Sequence, residues 1–263
     1  MEKTMKTHFR KRFGAVACLL AFGIAGTAAE AAPLNVFSDD FSGGGLPAGF
    51  SGAGSVEDAQ GYKGLGGFAD NFLRNDSSGN PAAATILTLI GLPAHDTVSL
   101  DFLLAVIDSW DGAPGNPSGP DFFNVEIDGV SIFSESYANV PGHTQSASIT
   151  NQVIDPTADN GFTNDGFFFN DSGYDMGDLA AFNDIAHTGN TLVVEWFASG
   201  AGWQGGSDES WAIDNVSVTI NTTDTGSGGG NGTSVPEPGA LSLFGMGMAG
   251  LSWLRRRRKA QQQ

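Results

Sequence analysis

Acidic side chains gather near both ends of a long segment that has almost no cations to pair with them. Asp208, Glu209 and Asp214 stand close together late in the chain, Asp39 and Asp40 stand early in FSDDF, and Asp108 and Asp111 lie around Trp110. Ca²⁺ takes about six to eight oxygens, with two or three carboxylates among them, so these acids are the candidate metal ligands. Two of the 12 Lys+Arg and 26 of the 29 Asp+Glu fall within residues 33–234, which gives that segment a net charge of −24 against −17 for the whole chain. Such a surface repels nucleic acid and anionic membranes, because both need a basic face. It suits a hard cation, and it equally suits an acidic surface whose task is to keep the protein dispersed. A third acidic stretch, DSGYDMGD, carries Asp171, Asp175 and Asp178 without the spacing of an EF-hand loop. Asp178, ahead of Leu179-Ala180-Ala181, reads as a helix cap.

Two tryptophans form the second candidate set. Trp110 lies in DSWDGAPGNPSGP and Trp203 in GAGWQGG. Exposed on such loops, their rings would stack on sugar faces; folded back, they would close an open end of the core. Trp196 and Trp211 follow strand parity and belong to the core.

Catalytic chemistry finds less support. His95, His143 and His187 stand in separate loops without metal-ligand spacing, and Gly-x-Ser-x-Gly, His-Glu-x-x-His and phosphate-loop patterns are absent. The single Cys18 lies in the N-terminal apolar run, so the body holds no thiol. A two-carboxylate glycosidase stays open as an alternative: Glu126 and Glu195 fall at outward strand positions, where catalytic acids and merely solvated residues both occur.

The elements that must position these residues are strands. Residues 97–107 put Val98, Leu100, Phe102, Leu104 and Val106 on one face, and residues 121–127 put Phe123, Val125 and Ile127 on another. Asp128-Gly129 follows, a hairpin signal, and then Val130 and Ile132. Residues 191–198 alternate again. Residues 210–220 alternate with a slip: Trp211 and Ile213 share one parity, Val216, Val218 and Ile220 the other, which predicts a bulge at Asp214-Asn215. Further strands are predicted over 35–41, 67–72, 84–90, 144–150 and 166–170, and a helix over 176–186. Short strands separated by turn signals predict an all-β fold, a single antiparallel β-sandwich or jelly roll over residues 33–225.

Both ends read as processing segments. Residues 1–12 are basic, 13–25 are apolar, and small residues follow, which is the layout of a signal peptide over residues 1–31. Residues 226–234 are a Gly-rich linker. Pro236-Glu237-Pro238 comes next. Residues 239–254 carry no charge and span roughly 24 Å as a helix, a short transmembrane segment beside the ~30 Å hydrocarbon core. The cations at 255–259 hold its end in the cytoplasm.

This order of motif, short span and Arg cluster, residues 235–259, resembles the PEP-CTERM sorting signal of Gram-negative bacteria. The resemblance implies an exosortase, a membrane peptidase acting at or near Pro236-Glu237-Pro238. It also implies transient membrane anchoring through the C-terminal helix, delivery to the cell surface or extracellular matrix, and association with extracellular polysaccharide. IDSWDG, GPDFFNVEIDG and GWQGGSDESWAIDNVSV resemble segments of lectin-like jelly-roll domains. That second resemblance implies a structural Ca²⁺ on Asp214 with Asp39 or Asp40. The expected function is a non-catalytic polysaccharide-binding or structural matrix component, with a polysaccharide-acting glycosidase or lyase on the same fold as the alternative.

Overall fold

A computed structural model describes residues 32–156 and 171–222. The expected signal peptide, the strand over 166–170, the Gly-rich linker and the sorting tail with its transmembrane segment lie outside the described residues. Among those described, no helix is long and apolar enough to cross a membrane.

Among the described residues, thirteen strands run in chain order: β1 Leu34–Asp39, β2 Phe50–Gly52, β3 Ser55–Asp58, β4 Asn71–Asn75, β5 Thr85–Ile90, β6 Thr97–Asp108, β7 Phe122–Ile127, β8 Val130–Ser136, β9 Gln152–Ile154, β10 Ser172–Asp175, β11 Ile185–Ala186, β12 Thr191–Ser199 and β13 Glu209–Asn221. The larger sheet has the order β3-β4-β13-β6-β10-β9, with β1 also on β13 and β11 also on β6; the smaller has β2-β5-β12-β7-β8. Every strand pair is antiparallel. This is the expected all-β sandwich.

The period-two pattern builds its core. Val98, Leu100, Phe102, Leu104 and Val106 of β6 pack with Phe123 and Val125 of β7 and Leu192, Val194 and Trp196 of β12 in one buried cluster. The run Leu103 to Ile107 breaks alternation because its other face is buried too. Leu103, Ala105 and Ile107 pack outward beneath Tyr62, Phe68 and Phe72. The Tyr62 hydroxyl donates to the carbonyls of Val106 and Ser172, each at 3.1 Å, which fixes this cover in place.

The parity slip in β13 is a bulge. Asp214 lies opposite Leu103, yet Ser217 lies opposite Asp101. Asn215 absorbs the extra residue at φ 51°. The Asp128-Gly129 hairpin also forms, with φ of 51° and 75°, as a turn matched to strand twist requires. A Cβ at Gly129 would meet nothing within 4 Å, so its replacement acts through the backbone alone. Gly129→Ala is expected to lower stability by about 1 kcal/mol, read as a shift of the urea midpoint at constant slope.

Two predicted elements are corrected. Residues 176–186 contain a single 3-10 turn, Ala180–Phe182, and then β11. Leu179 is extended and no side chain caps the turn, so Asp178 is not a cap. The Asn183 amide donates to the carbonyls of Gly177 and Leu179 at 2.8 and 2.9 Å. Phe182 is pulled into the core against Phe102, which winds the chain tighter than an α-helix allows. Residues 144–150 form a loop rather than a strand, because side chains take the bonds a neighbouring strand would supply. The Asn116 amide donates to the Thr144 carbonyl at 2.7 Å, and the Ser136 N–H donates to Ser146 Oγ at 2.9 Å.

Candidate functional site

Three acids from three elements meet at one end of the sandwich. Asp111 follows the end of β6, where the Ser109 N–H and Oγ donate to the Asp208 carbonyl at 3.2 and 3.0 Å. Asp121 immediately precedes β7; its N–H donates to the Gly112 carbonyl at 3.0 Å, which draws the loop closed. Glu209 opens β13 opposite Asp108. One carboxylate oxygen from each of Asp111, Asp121 and Glu209 lies within 4.8 Å of the others. Asp121 and Glu209 are fully buried and Asp111 is 8% exposed.

In each of the two buried acids one oxygen is hydrogen-bonded and the other is not. The Asp111 N–H donates to Asp121 Oδ2, and the Gln204 N–H donates to Glu209 Oε2 at 2.8 Å. Asp121 Oδ1 and Glu209 Oε1 accept no hydrogen bond. His143 Nδ1 stands 3.3 Å from Asp111 Oδ1. Gly202 forms the wall beside Asp121: a Cβ there would fall on the Ser118 carbonyl and 2.6 Å from Asp121 Oδ1.

Both body cations have acidic partners elsewhere. Lys63 pairs with Asp58 at 2.7 Å, and Arg74 lies 3.5 Å from Glu57 while its Nε donates to Ser210 Oγ at 2.9 Å. Burial pushes the Glu209 carboxyl up to about 9, with repulsion from Asp121 adding to it. Burial likewise raises Asp121 to about 7, against the pull of the Asp111 N–H. Asp111 rises through burial, with His143 opposing. Left to themselves, these carboxyls hold protons in a range where exposed acids have lost them.

Of the expected ligands, then, Glu209 and Asp111 lie in this group, and Asp208 beside Glu209 adds negative charge to all three members. Asp39, Asp40 and Asp214 lie near one another at the β13 bulge. Asp214 is buried; its Oδ2 accepts from the Ala69 N–H and its Oδ1 from the Asn215 N–H, both at 2.7 Å. Burial raises it to about 6, and the charges of Asp40 and Asp39 add to the rise. Asp39 and Asp40 instead cap their own turns, accepting from the N–H groups of Phe41 at 2.7 Å and Ser42 at 3.0 Å. Among the described residues, the one group of three acids within ligating reach is Asp111, Asp121 and Glu209.

Trp110 and Trp203 correct the expectation of exposed stacking platforms. Trp110 is fully buried and Trp203 is 6% exposed. Their rings meet edge to face at 5.0 Å, and their Nε1 groups donate to the carbonyls of Ser210 and Ser77, each at 2.9 Å. The glycines around them let the loops fold over the rings, so both close the end of the core.

Sequence reasoning missed Asp121. Its one visible signal is its place ahead of the alternating run FFNVEI, a position that ends at a sheet rim. It also missed a contact between His95 Nε2 and His187 Nδ1 at 2.6 Å. His95 Nδ1 lies 2.6 Å from the Pro93 carbonyl, and His187 Nε2 lies 3.2 Å from Asp128 Oδ2. The pair ties the loop before β6 to the loop before β12.

The outer face of the larger sheet carries a groove of about 860 Å³. The antiparallel register sets Ser217 opposite Asp101, Thr219 opposite Ser99 and Asn221 opposite Thr97, so outward polar residues of β6 and β13 form a hydroxyl, amide and carboxylate floor. Asp184 stands at its rim, accepting from the Asn221 amide at 3.2 Å. Burial raises the Asp101 carboxyl, and the charges of Asp175 and Asp178 add to this. On the smaller sheet, Glu126 and Glu195 are direct cross-strand partners.

The end of the chain is decided by its own motif. Residues 234–258 match the family model of the PEP-CTERM protein-sorting motif. The chain carries a PEP-CTERM sorting signal. A motif of this kind implies export and sorting by an exosortase. No curated protein matches the chain in sequence. Among solved structures, it is similar to the CBM22-1 xylan-binding domain of Paenibacillus barcinonensis Xyn10C, at 12% identity over 74% of this chain and 99% of that one, with a TM-score of 0.35. The CBM22-1–GH10 modules of Clostridium thermocellum Xyn10B, complexed with xylohexaose, match at 9% identity over 78% and 30%, with a TM-score of 0.32. The infectious bursal disease virus Gt strain structure matches at 14% over 81% and 37%, with a TM-score of 0.30. Neighbours this diverse at such scores assign no ligand.

Proposed function

We propose that this PEP-CTERM protein is delivered to the cell surface or extracellular matrix and binds polysaccharide there without cleaving it. The observation that carries this reading is the polar groove on the larger sheet. Its floor of Ser99, Asp101, Ser217, Thr219 and Asn221 offers donors and acceptors at the spacing of adjacent strands, about 5 Å, which is close to the repeat of a sugar ring. The net charge of −24 over residues 33–234 favours a neutral glycan over a polyanion. Affinity electrophoresis of the full chain through gels containing neutral polysaccharides tests this. Retardation by at least one glycan is expected, with at least about a tenfold loss of affinity when Asp101→Ala and Asn221→Ala together remove two polar anchors. Unretarded migration in every gel, or retardation indifferent to those changes, sinks the reading.

The facing pair Glu126 and Glu195 favours a second reading, a glycosidase on the smaller sheet. Directly opposed strand residues have Cβ atoms about 5 Å apart, which puts their carboxylates within reach of the ~5 Å separation used by retaining enzymes. Release of reducing ends that disappears in Glu126→Gln would establish it over the first.

A further inference from the structure

We propose that Asp111, Asp121 and Glu209 hold a Ca²⁺ ion at the end of the sandwich where β6, β7 and β13 meet. Three acids with one oxygen each inside 4.8 Å would by themselves be a common surface feature. These are buried, and the two most buried each keep one oxygen with no hydrogen-bond partner. A buried acceptor without a donor is costly, and a cation between the three is the group that satisfies both oxygens at once. The donors are carboxylates only, with the single nearby imidazole, His143, held against the Asp111 carboxylate and carbonyl. Such hard oxygens select Ca²⁺ or Mg²⁺ over Zn²⁺ or copper. A buried set of acids favours Ca²⁺, which sheds its water, over Mg²⁺, which dehydrates reluctantly.

The competing state is a proton shared between Asp121 and Glu209. It neutralises one charge and leaves the other beside Asp111 and Asp208. A divalent ion offsets two charges and draws in Asp111 as well. Bound there, it would cross-link the loop after β6, the start of β7 and the start of β13. These segments otherwise meet through hydrogen bonds such as Asp111 N–H to Asp121 and Ser109 to the Asp208 carbonyl. The ion would thus be structural, holding closed the end that Trp110 and Trp203 also seal. It lies apart from the polar groove and does not depend on what that groove binds.

Terbium reports on this position directly, because a Tb³⁺ ion in a Ca²⁺ site next to tryptophan emits when the indole is excited, and Trp110 adjoins Asp111 in the chain. The full chain, purified in detergent and stripped with chelator, is expected to give Trp-sensitised Tb³⁺ emission that Ca²⁺ displaces and Mg²⁺ at the same concentration does not. Ca²⁺ at a hundredfold excess over Kd is expected to raise the melting midpoint by about 5–10 °C. Glu209→Gln and Asp121→Asn are expected to lose the emission and the Ca²⁺ response while still melting cooperatively in chelator, and Asp214→Asn is expected to keep both. Absence of both signals in the unaltered chain overturns the proposal and leaves the shared proton. Emission that survives Glu209→Gln and vanishes in Asp214→Asn also overturns it, by placing the ion at the β13 bulge. Should a variant fail to fold, equilibrium dialysis of the unaltered chain against Ca²⁺ decides: no stoichiometric binding rejects the site.

Discussion

Stripped of divalent cations, the protein is expected to melt at a higher temperature at pH 5 than at pH 8. Glu209 is raised to about 9, Asp121 to about 7 and Asp214 to about 6, in each case chiefly by burial. In the unfolded chain all three titrate near pH 4. Between about pH 4 and pH 9 the folded protein therefore binds more protons than the unfolded one, and stability falls as pH rises through that window. The stability from these groups is fully present below the unfolded values and is lost as each folded value is passed. Acids with lowered values, Asp40 and Asp58, are exposed and act only near the acid end of the range. The expected loss from pH 5 to pH 8 is a few kcal/mol, which is several degrees for a domain of this size. Glu209→Gln is expected to flatten the profile, because the amide has no proton to lose. Melts in chelator at closely spaced pH values check this; a profile that is flat or rises towards pH 8 refutes it.

The largest effect of a single substitution is expected from Phe102→Ala. Phe102 is fully buried at the centre of β6, where its ring meets Phe182 at 5.3 Å, Trp196 at 5.9 Å and Phe123 at 6.4 Å. It therefore joins both sheets and the 3-10 turn that seals one edge. Truncation removes the transfer free energy of the ring and leaves a cavity that aromatic neighbours, held on separate strands, cannot fill, a loss of about 3–5 kcal/mol. Phe102→Leu retains much of the volume and is expected to cost less than half as much. Chemical denaturation of both variants measures the difference; a Phe102→Ala loss below about 1 kcal/mol would show that the sheets do not pack through this ring.

How much of this was legible beforehand follows from which features are local. The β6, β7 and β12 strands, the Asp128-Gly129 turn and the bulge at Asp214-Asn215 were all readable, because side-chain alternation and left-handed turn residues are properties of a few adjacent residues. The sorting motif was readable for the same reason: its residues are contiguous. The segment 176–186 was misread because its helical spacing competes with a tertiary demand, the burial of Phe182 beneath Phe102. Trp110 and Trp203 looked available because nothing in a glycine-rich loop says whether it stands out or folds over. The acidic centre was half visible. Glu209 and Asp111 were among the candidate ligands, while Asp121 looked like the start of a strand.

What the sequence determined by itself is therefore the sandwich class, the main strands and the sorting motif at residues 234–258. What only the tertiary structure decided is which acids meet. Asp111 and Glu209 are joined because β13 crosses back to lie beside β6, and Asp121 joins them because the intervening loop closes through the Gly112 carbonyl. Strand periodicity is encoded by neighbours along the chain. Convergence of charge is encoded by long-range pairing and by the burial that pairing imposes, and burial is what turns scattered acids into a site.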